Sequence, residues 1–294
     1  MRAQVIIVAT LVLNAGLFVA NLTVAIFSGS RTVLAQAIYT VTDLVGSALL
    51  LWGLHVSRRP ADYLYPFGRG KERFFWAFVS TLVTFTIAGI VALTTGIAQV
   101  VSPAKVSDLG AALAVVGGTM LVSIAGILVT LRELRHSQQT IQYLLESAHQ
   151  GLKTIFYQDL VSILGTAVAF GGIAVVYRTG NDAFDGLAAA IVGVLLIATG
   201  VVLSAESRDL LVGRAVPPSV ARTILDLVET DARVRKVRGL QSMLLGPEDV
   251  LLTLRVNFQD GLTTDQIESA IDHVSLSVRT AFPAIRHMII EPES

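Results

Sequence analysis

The sequence predicts an all-α bundle of six transmembrane helices followed by a small α+β domain, and three observations carry this prediction. The first is composition: of 294 residues, 53% are hydrophobic and 15% are charged, which is well below the charge content of an ordinary soluble domain. The second is a series of six long apolar segments between charged residues. The third is a change of pattern after Pro217 and Pro218, where short amphipathic elements replace the apolar segments.

The apolar segments are long enough to be membrane spans, since a helix needs about 20 apolar residues to cross a bilayer. Spans are predicted at residues 5–27, 33–54, 74–101, 109–131, 154–176 and 184–203. The length of the first segment favours a signal-anchor helix over a cleaved signal peptide. With the N-terminus inside, the cytoplasmic loops hold eight Lys or Arg and the outer loops hold three. Because basic loops stay in the cytoplasm, we expect a multi-pass protein of the cell (inner) membrane with both termini cytoplasmic.

The residues after the apolar segments read as a separate domain of order α-β-β-α-β. A helix is predicted at 219–230, strands at 237–245 and 250–258, and a closing strand at 285–290. Thr263 and Gln266 form a capping box that begins the helix between the last two strands. The predicted division is a transmembrane domain at 1–207, a linker at 208–218 and a dimerisation domain at 219–294. So small a domain has a thin core, and pairing with a second copy would stabilise it.

Two aspartates lie inside the predicted spans. Asp43 is the only formal charge between Arg31 and Arg58, and Asp159 is the only one in the fifth span. Polar residues share a helical face with each of them: Gln36, Tyr39 and Ser47 with the first, and Gln158, Ser162 and Thr166 with the second. A carboxylate within a membrane span is unfavourable by at least a few kcal/mol, so it normally faces the bundle interior, water, an ion or a partner.

If the two helices converge, these side chains form an oxygen-rich cage. Carboxylate, amide and hydroxyl oxygens are ligands for harder divalent cations, and two carboxylates neutralise a 2+ charge. The alternative is that hydroxyl and amide groups inside the bundle satisfy each aspartate. We expect ion or proton handling, because intramembrane carboxylates are usually functional.

Other function classes are disfavoured by what the sequence lacks. A net charge of zero argues against a nucleic-acid partner recruited by bulk charge. The absence of cysteine excludes Cys-ligated zinc and thiolate nucleophiles. No Ser/His or metalloprotease pattern lies in any predicted span, so we expect a protein that is not an enzyme and needs no cofactor.

Four segments carry a resemblance to a known family: residues 28–43, 65–72, 184–186 and 210–217. The sequence resembles the cation diffusion facilitators, and the resemblance extends over the whole chain. It implies a six-helix transporter that exchanges a divalent metal for protons, usually as a homodimer with a cytoplasmic ferredoxin-like domain. Residues 152–165 resemble the zinc transporter nine-like branch of that family.

The sequence also departs from the family pattern. Tyr39 stands where the family usually has His or Asp, and Ile155 stands at the fifth-helix His position. Gln36 and Gln158 stand where the branch commonly has Glu. Because zinc prefers nitrogen and sulfur donors, these changes favour manganese, magnesium or iron. The candidate metal ligands are Asp43, Asp159, Gln36, Tyr39 and Gln158.

Two hypotheses follow for the function. The first is a secondary transporter that exports a divalent cation, zinc-like or manganese, iron or magnesium, in exchange for protons. The second is a transport-inactive homologue that acts as a binding or dimerisation partner. The intact carboxylates favour the first hypothesis, and the missing histidines favour the second.

Overall fold

A computed structural model of the chain describes residues 2–28, 31–103, 109–136 and 150–293. The chain forms two compact units. The first, called the helical unit here, comprises Met1–Val56 and Phe75–Arg208, and the second, the C-terminal unit, comprises Ser57–Phe74 and Asp209–Ser294.

Long apolar helices build the helical unit, and their bounds are as follows: α1 (Arg2–Ser28), α2 (Arg31–Val56), α3 (Glu72–Thr81), a π-helical segment (Leu82–Ile87), α4 (Ala88–Val101), α5 (Leu109–His136), α6 (Gln150–Thr179) and α7 (Ala183–Val212). Within the described ranges, four helical stretches are long and apolar enough to cross a membrane: Ala37–Val56, Glu72–Val101, Asp159–Thr179 and Ala183–Val212. Shorter apolar stretches lie in α1 at Leu11–Phe27 and in α5 at Val116–Leu128. Membrane-spanning helices are thus confirmed, and the count of six stays a prediction.

Glycine allows α4 and α7 to approach each other backbone to backbone. A Cβ atom added at Gly96 would lie 2.4 Å from the backbone nitrogen of Ala190. A Cβ added at Gly193 would lie 2.4 Å from the backbone nitrogen of Leu93. Because apolar helices in lipid gain little from hydrophobic burial, small residues that permit such close packing hold membrane helices together.

The C-terminal unit follows the predicted order α-β-β-α-β, with α8 (Pro218–Glu229), β1 (Val234–Gly246), β2 (Asp249–Phe258), α9 (Thr264–Ala281) and β3 (Ile285–Pro292). The sheet order is β1-β2-β3, with β1 antiparallel to β2 and β2 parallel to β3. The capping box of Thr263 and Gln266 is present at the start of α9. The core is formed by buried side chains from both helices and all three strands, including Ile224, Leu252, Leu254, Val278 and Ile285.

The segment after α2 also belongs to the C-terminal unit. The ammonium group of Lys71 donates a hydrogen bond to the backbone carbonyl of Leu211 at 3.4 Å. The ring of Phe67 meets the ring of His287 edge-on, with 5.2 Å between the ring centres. Residues 57–74 therefore pack on the domain that follows them by more than a hundred residues in the sequence.

Candidate metal-binding site

The carboxylate of Asp43 is buried in the middle of α2. The side-chain amide of Asn14, on α1, donates a hydrogen bond to Oδ2 of Asp43. The other oxygen, Oδ1, is buried and accepts no hydrogen bond from the part of the chain that the structure describes. The sequence predicted Asp43 as a site residue but missed Asn14.

Asp159 occupies the first part of α6, and α5 approaches it closely. A Cβ atom added at Gly126 of α5 would lie 2.5 Å from Oδ2 and 2.8 Å from Oδ1 of Asp159. Any larger residue at position 126 would therefore displace the carboxylate of Asp159. Like Asp43, Asp159 has one buried oxygen, Oδ2, for which the described residues supply no hydrogen-bond partner.

Both carboxylates line the same small polar cavity in the helical unit. Its volume is about 20 Å³, which is room for roughly one water molecule or one bare cation. Four helices contribute to its wall: α1, α2, α5 and α6. The lining residues are Asn14, Leu17, Tyr39, Thr40, Asp43, Thr119, Ser123, Asp159 and Ser162. Apart from the two aspartates and Leu17, all six lining residues carry an amide or a hydroxyl group.

The predicted ligands differ in how the structure places them. Asp43, Asp159 and Tyr39 all line the cavity. Tyr39 is also buried in an apolar cluster that includes Phe85. The side chains of Gln36 and Gln158 lie outside the described residues, so their role as ligands stays a prediction.

A hydrogen-bonded contact with the third span fixes the turn of α2 that carries Asp43. The hydroxyl of Thr84, in the π-helical segment, donates to the backbone carbonyl of Thr42 at 3.2 Å. The hydroxyl of Thr42 donates to the carbonyl of Tyr39 at 2.8 Å. Gly46 permits the contact, because a Cβ there would lie 2.1 Å from Oγ1 of Thr84. π-helical turns often occur at functional sites, and this one lies against the residue next to Asp43.

A second hydrogen bond joins two helices beside the cavity. The hydroxyl of Ser123, on α5, donates to the hydroxyl of Ser162, on α6, at 2.7 Å. The Asn14 contact joins α1 to α2 in the same way, so each of the two helix pairs that line the cavity has a hydrogen bond beside it. The site is therefore a preformed concave arrangement of oxygen atoms on packed helices.

The donors around the cavity are carboxylate, amide and hydroxyl groups. In the described ranges there is no group of three or more His, Cys, Asp or Glu side chains that could hold a metal ion. Two carboxylates that each bury an oxygen without a described hydrogen-bond partner need a counter-charge, which a divalent cation or protons can supply. Oxygen donors of this kind suit harder divalent cations.

Most of the chain matches a known protein family. The cation efflux transmembrane domain matches residues 7–212, which is more than half of the chain. The chain belongs to the cation efflux family. This family, also called the cation diffusion facilitators, consists of transporters, and the resemblance drawn from the sequence motifs is confirmed.

Individual relatives in the cation efflux family are distant. Metal tolerance protein C4 of Arabidopsis thaliana is 26% identical over 79% of this chain and 52% of that protein. The mitochondrial proton-coupled zinc antiporter SLC30A9 of Homo sapiens is 25% identical over 81% of this chain and 43% of that protein. The cation-efflux pump FieF of Salmonella typhi is 23% identical over 87% of this chain and 81% of that protein. The chain thus spans about half the length of the first two relatives.

Among solved structures, the C-terminal domain of MamM is similar to part of this cation efflux protein. A cadmium form of a variant of that domain is 19% identical, with a TM-score of 0.25, and covers 26% of this chain and 95% of that chain. A nickel form is also 19% identical, again with a TM-score of 0.25.

Proposed function

We propose that the chain is a secondary transporter that exports a divalent metal cation across the membrane in exchange for protons. One observation carries the proposal: Asp43 and Asp159 line one polar cavity, and each has a buried oxygen that no described group satisfies. Open carboxylate oxygens argue against the alternative in which the bundle itself satisfies both aspartates. They are the atoms that a cation would contact.

The donors indicate the class of cation. Asp43 and Asp159 would supply charge, Tyr39 a phenolic oxygen, and Gln36 and Gln158 amide oxygens. Zinc in closed tetrahedral sites is usually bound by nitrogen and sulfur. An all-oxygen set therefore favours manganese, iron or magnesium, although a relative such as SLC30A9 is named for zinc. Zinc stays in the substrate screen for that reason.

Proton coupling follows from competition for the same oxygen atoms. A carboxylate that holds a proton cannot at the same time hold a cation through the same lone pair. Metal loading therefore releases protons, and protonation releases the metal. With protons more concentrated outside, such a site would discharge metal outward and return protonated.

The remaining structural predictions complete this proposal. The apolar stretches in α1 and α5 would be two further spans, which gives six in total. The protein would lie in the cell (inner) membrane, with both termini in the cytoplasm. The C-terminal domain would have the ferredoxin-like fold and would support a homodimer. Light scattering of the full-length protein in detergent tests the dimer, and a monomeric mass at micromolar concentration contradicts it.

A second candidate function is a transport-inactive homologue that acts as a binding or dimerisation partner. Its support is that no histidine is among the described residues that line the cavity. The transport experiment separates the two candidates, because an inactive homologue moves no cation at any pH.

The experiment is proton flux in proteoliposomes that contain a pH-sensitive dye, with gradients of zinc, manganese, iron(II) or magnesium imposed in turn. We expect the wild-type protein to respond to at least one cation, and Asp43→Asn and Asp159→Asn to lose the response. Asp226→Asn is the matched control, because Asp226 is exposed in α8 of the C-terminal unit. Wild-type flux in both intramembrane variants would overturn the carboxylate site, and no flux with any cation would favour the inactive homologue.

A further inference from the structure

The tip of the segment after α2 exposes two adjacent large side chains. Tyr63 is 98% exposed and Leu64 is 78% exposed. Neither side chain is covered by the C-terminal unit to which the segment belongs. Adjacent large apolar side chains on a solvent-exposed loop are typical of an interaction surface.

The tip is a braced turn. Oδ1 of Asp62 accepts hydrogen bonds from the backbone amides of Leu64 at 3.0 Å and of Tyr65 at 2.8 Å. The guanidinium of Arg69 donates to Oδ2 of Asp62 at 3.0 Å. It also lies over the ring of Tyr65, 4.1 Å from the ring centre. The polar groups at the base of the turn are therefore used within the loop, and the two apolar side chains point outward.

The chain holds this tip near the membrane surface. One apolar span ends at Val56, seven residues before Tyr63, and the next begins at Glu72, nine residues after it. Seven residues reach at most about 25 Å when fully extended, and the turn shortens that reach. Arg58 and Arg59 are exposed between the span and the tip. In the topology proposed above, this segment lies on the cytoplasmic side, where the leaflet carries anionic lipids.

We propose that the side chains of Tyr63 and Leu64 insert into the headgroup region of the cytoplasmic leaflet, with Arg58 and Arg59 bound to anionic lipid headgroups. Tyrosine favours the membrane–water interface because its ring is apolar and its hydroxyl is polar. A pair of arginines beside an apolar tip is the combination that membrane-surface segments use. Since Lys71 and Phe67 join the same segment to the C-terminal unit, the tip anchors that unit to the bilayer.

The absence of cysteine makes the test direct, because one introduced cysteine gives one labelled site. The full-length Leu64→Cys variant is spin-labelled and reconstituted into vesicles of phosphatidylcholine with phosphatidylglycerol. The depth of the label is measured from its collision rates with oxygen and with a water-soluble nickel chelate. The matched control is Leu276→Cys, because Leu276 is a similarly exposed leucine, at 68%, on α9.

We expect the label at position 64 to lie about 5 Å or more below the lipid phosphates and the label at position 276 to stay in water. In pure phosphatidylcholine, or after Arg58→Gln with Arg59→Gln, the label at position 64 should be shallower. A label at position 64 that is fully water-accessible in both lipids overturns the proposal. Spin–spin broadening that disappears on dilution with unlabelled protein also overturns it, because the tip would then contact a second copy of the chain.

Discussion

Replacement of Asn14 by leucine tests the candidate metal-binding site at an uncharged residue that lines the cavity. Leucine keeps the approximate size of the side chain and removes the amide that donates to Oδ2 of Asp43. Loss of a hydrogen bond to a metal-ligating group typically lowers metal affinity about 10- to 100-fold. That change equals about 1.4–2.7 kcal/mol of binding free energy. A hydrogen bond to a charged group is independently worth about 1.5–3 kcal/mol, so the two estimates agree.

The assay is isothermal titration of the detergent-solubilised protein with the cation that gives the largest flux in proteoliposomes. Asn21→Leu is the control, because Asn21 is buried in the same helix, two turns further along, and does not line the cavity. Neither polar atom of its side chain has a hydrogen-bond partner among the described residues, so its replacement should leave both affinity and folding intact. Wild-type affinity in Asn14→Leu, or an equal loss in both variants, would refute the assigned contact.

Three further predictions concern single positions. Gly126→Ala should lower transport at least about tenfold, because the new methyl group displaces the carboxylate of Asp159 from the cavity. The control for the flux measurement is Gly118→Ala, since a Cβ added at Gly118 has no atom within 4 Å. Tyr39→His should tighten zinc binding relative to manganese in parallel titrations, since imidazole is a preferred zinc ligand, and an unchanged ratio would remove Tyr39 from the site. The Arg233 guanidinium holds the pKa of Asp231 well below its usual range, so this carboxylate stabilises the fold above about pH 4 and its contribution is lost as the pH falls further. In thermal unfolding of the full-length protein, Asp231→Asn should therefore destabilise by about 1–3 kcal/mol at pH 7 and by less near pH 2, whereas an equal deficit at both pH values contradicts the assignment.

The elements of the C-terminal unit could be predicted because their signals are local. Alternation of apolar residues predicted β2, and the pair of Thr263 and Gln266 predicted where α9 begins. The individual contacts by which residues 57–74 pack on this unit could not be predicted in the same way. The bond from Lys71 to the carbonyl of Leu211 joins residues 140 positions apart, and no periodic pattern encodes such a contact.

The candidate site was predictable where a formal charge interrupts an apolar span, which is why Asp43 and Asp159 were found. Asn14 was missed because an uncharged amide does not interrupt an apolar segment, although a polar side chain within a span is itself a usable signal. The π-helical segment was also missed. Its hydrogen bonds to α2 are tertiary contacts of Thr42 and Thr84, and threonine alone does not predict a change of helical register.

The size of the cavity favours some divalent cations over others, although the oxygen donors alone would bind all of them. A volume of about 20 Å³ accepts one water-sized object, so a cation must exchange most of its hydration shell for protein oxygens. Magnesium gives up water reluctantly and usually keeps several water molecules, so entry into so small a cavity is less favourable for it than for the other cations. We therefore expect manganese or iron to be carried in preference to magnesium. Zinc binds most ligand sets more tightly than manganese does, so discrimination against it must come from the lack of nitrogen donors and from the number of oxygens. That balance is narrow, since one imidazole at position 39 would supply the donor that zinc lacks.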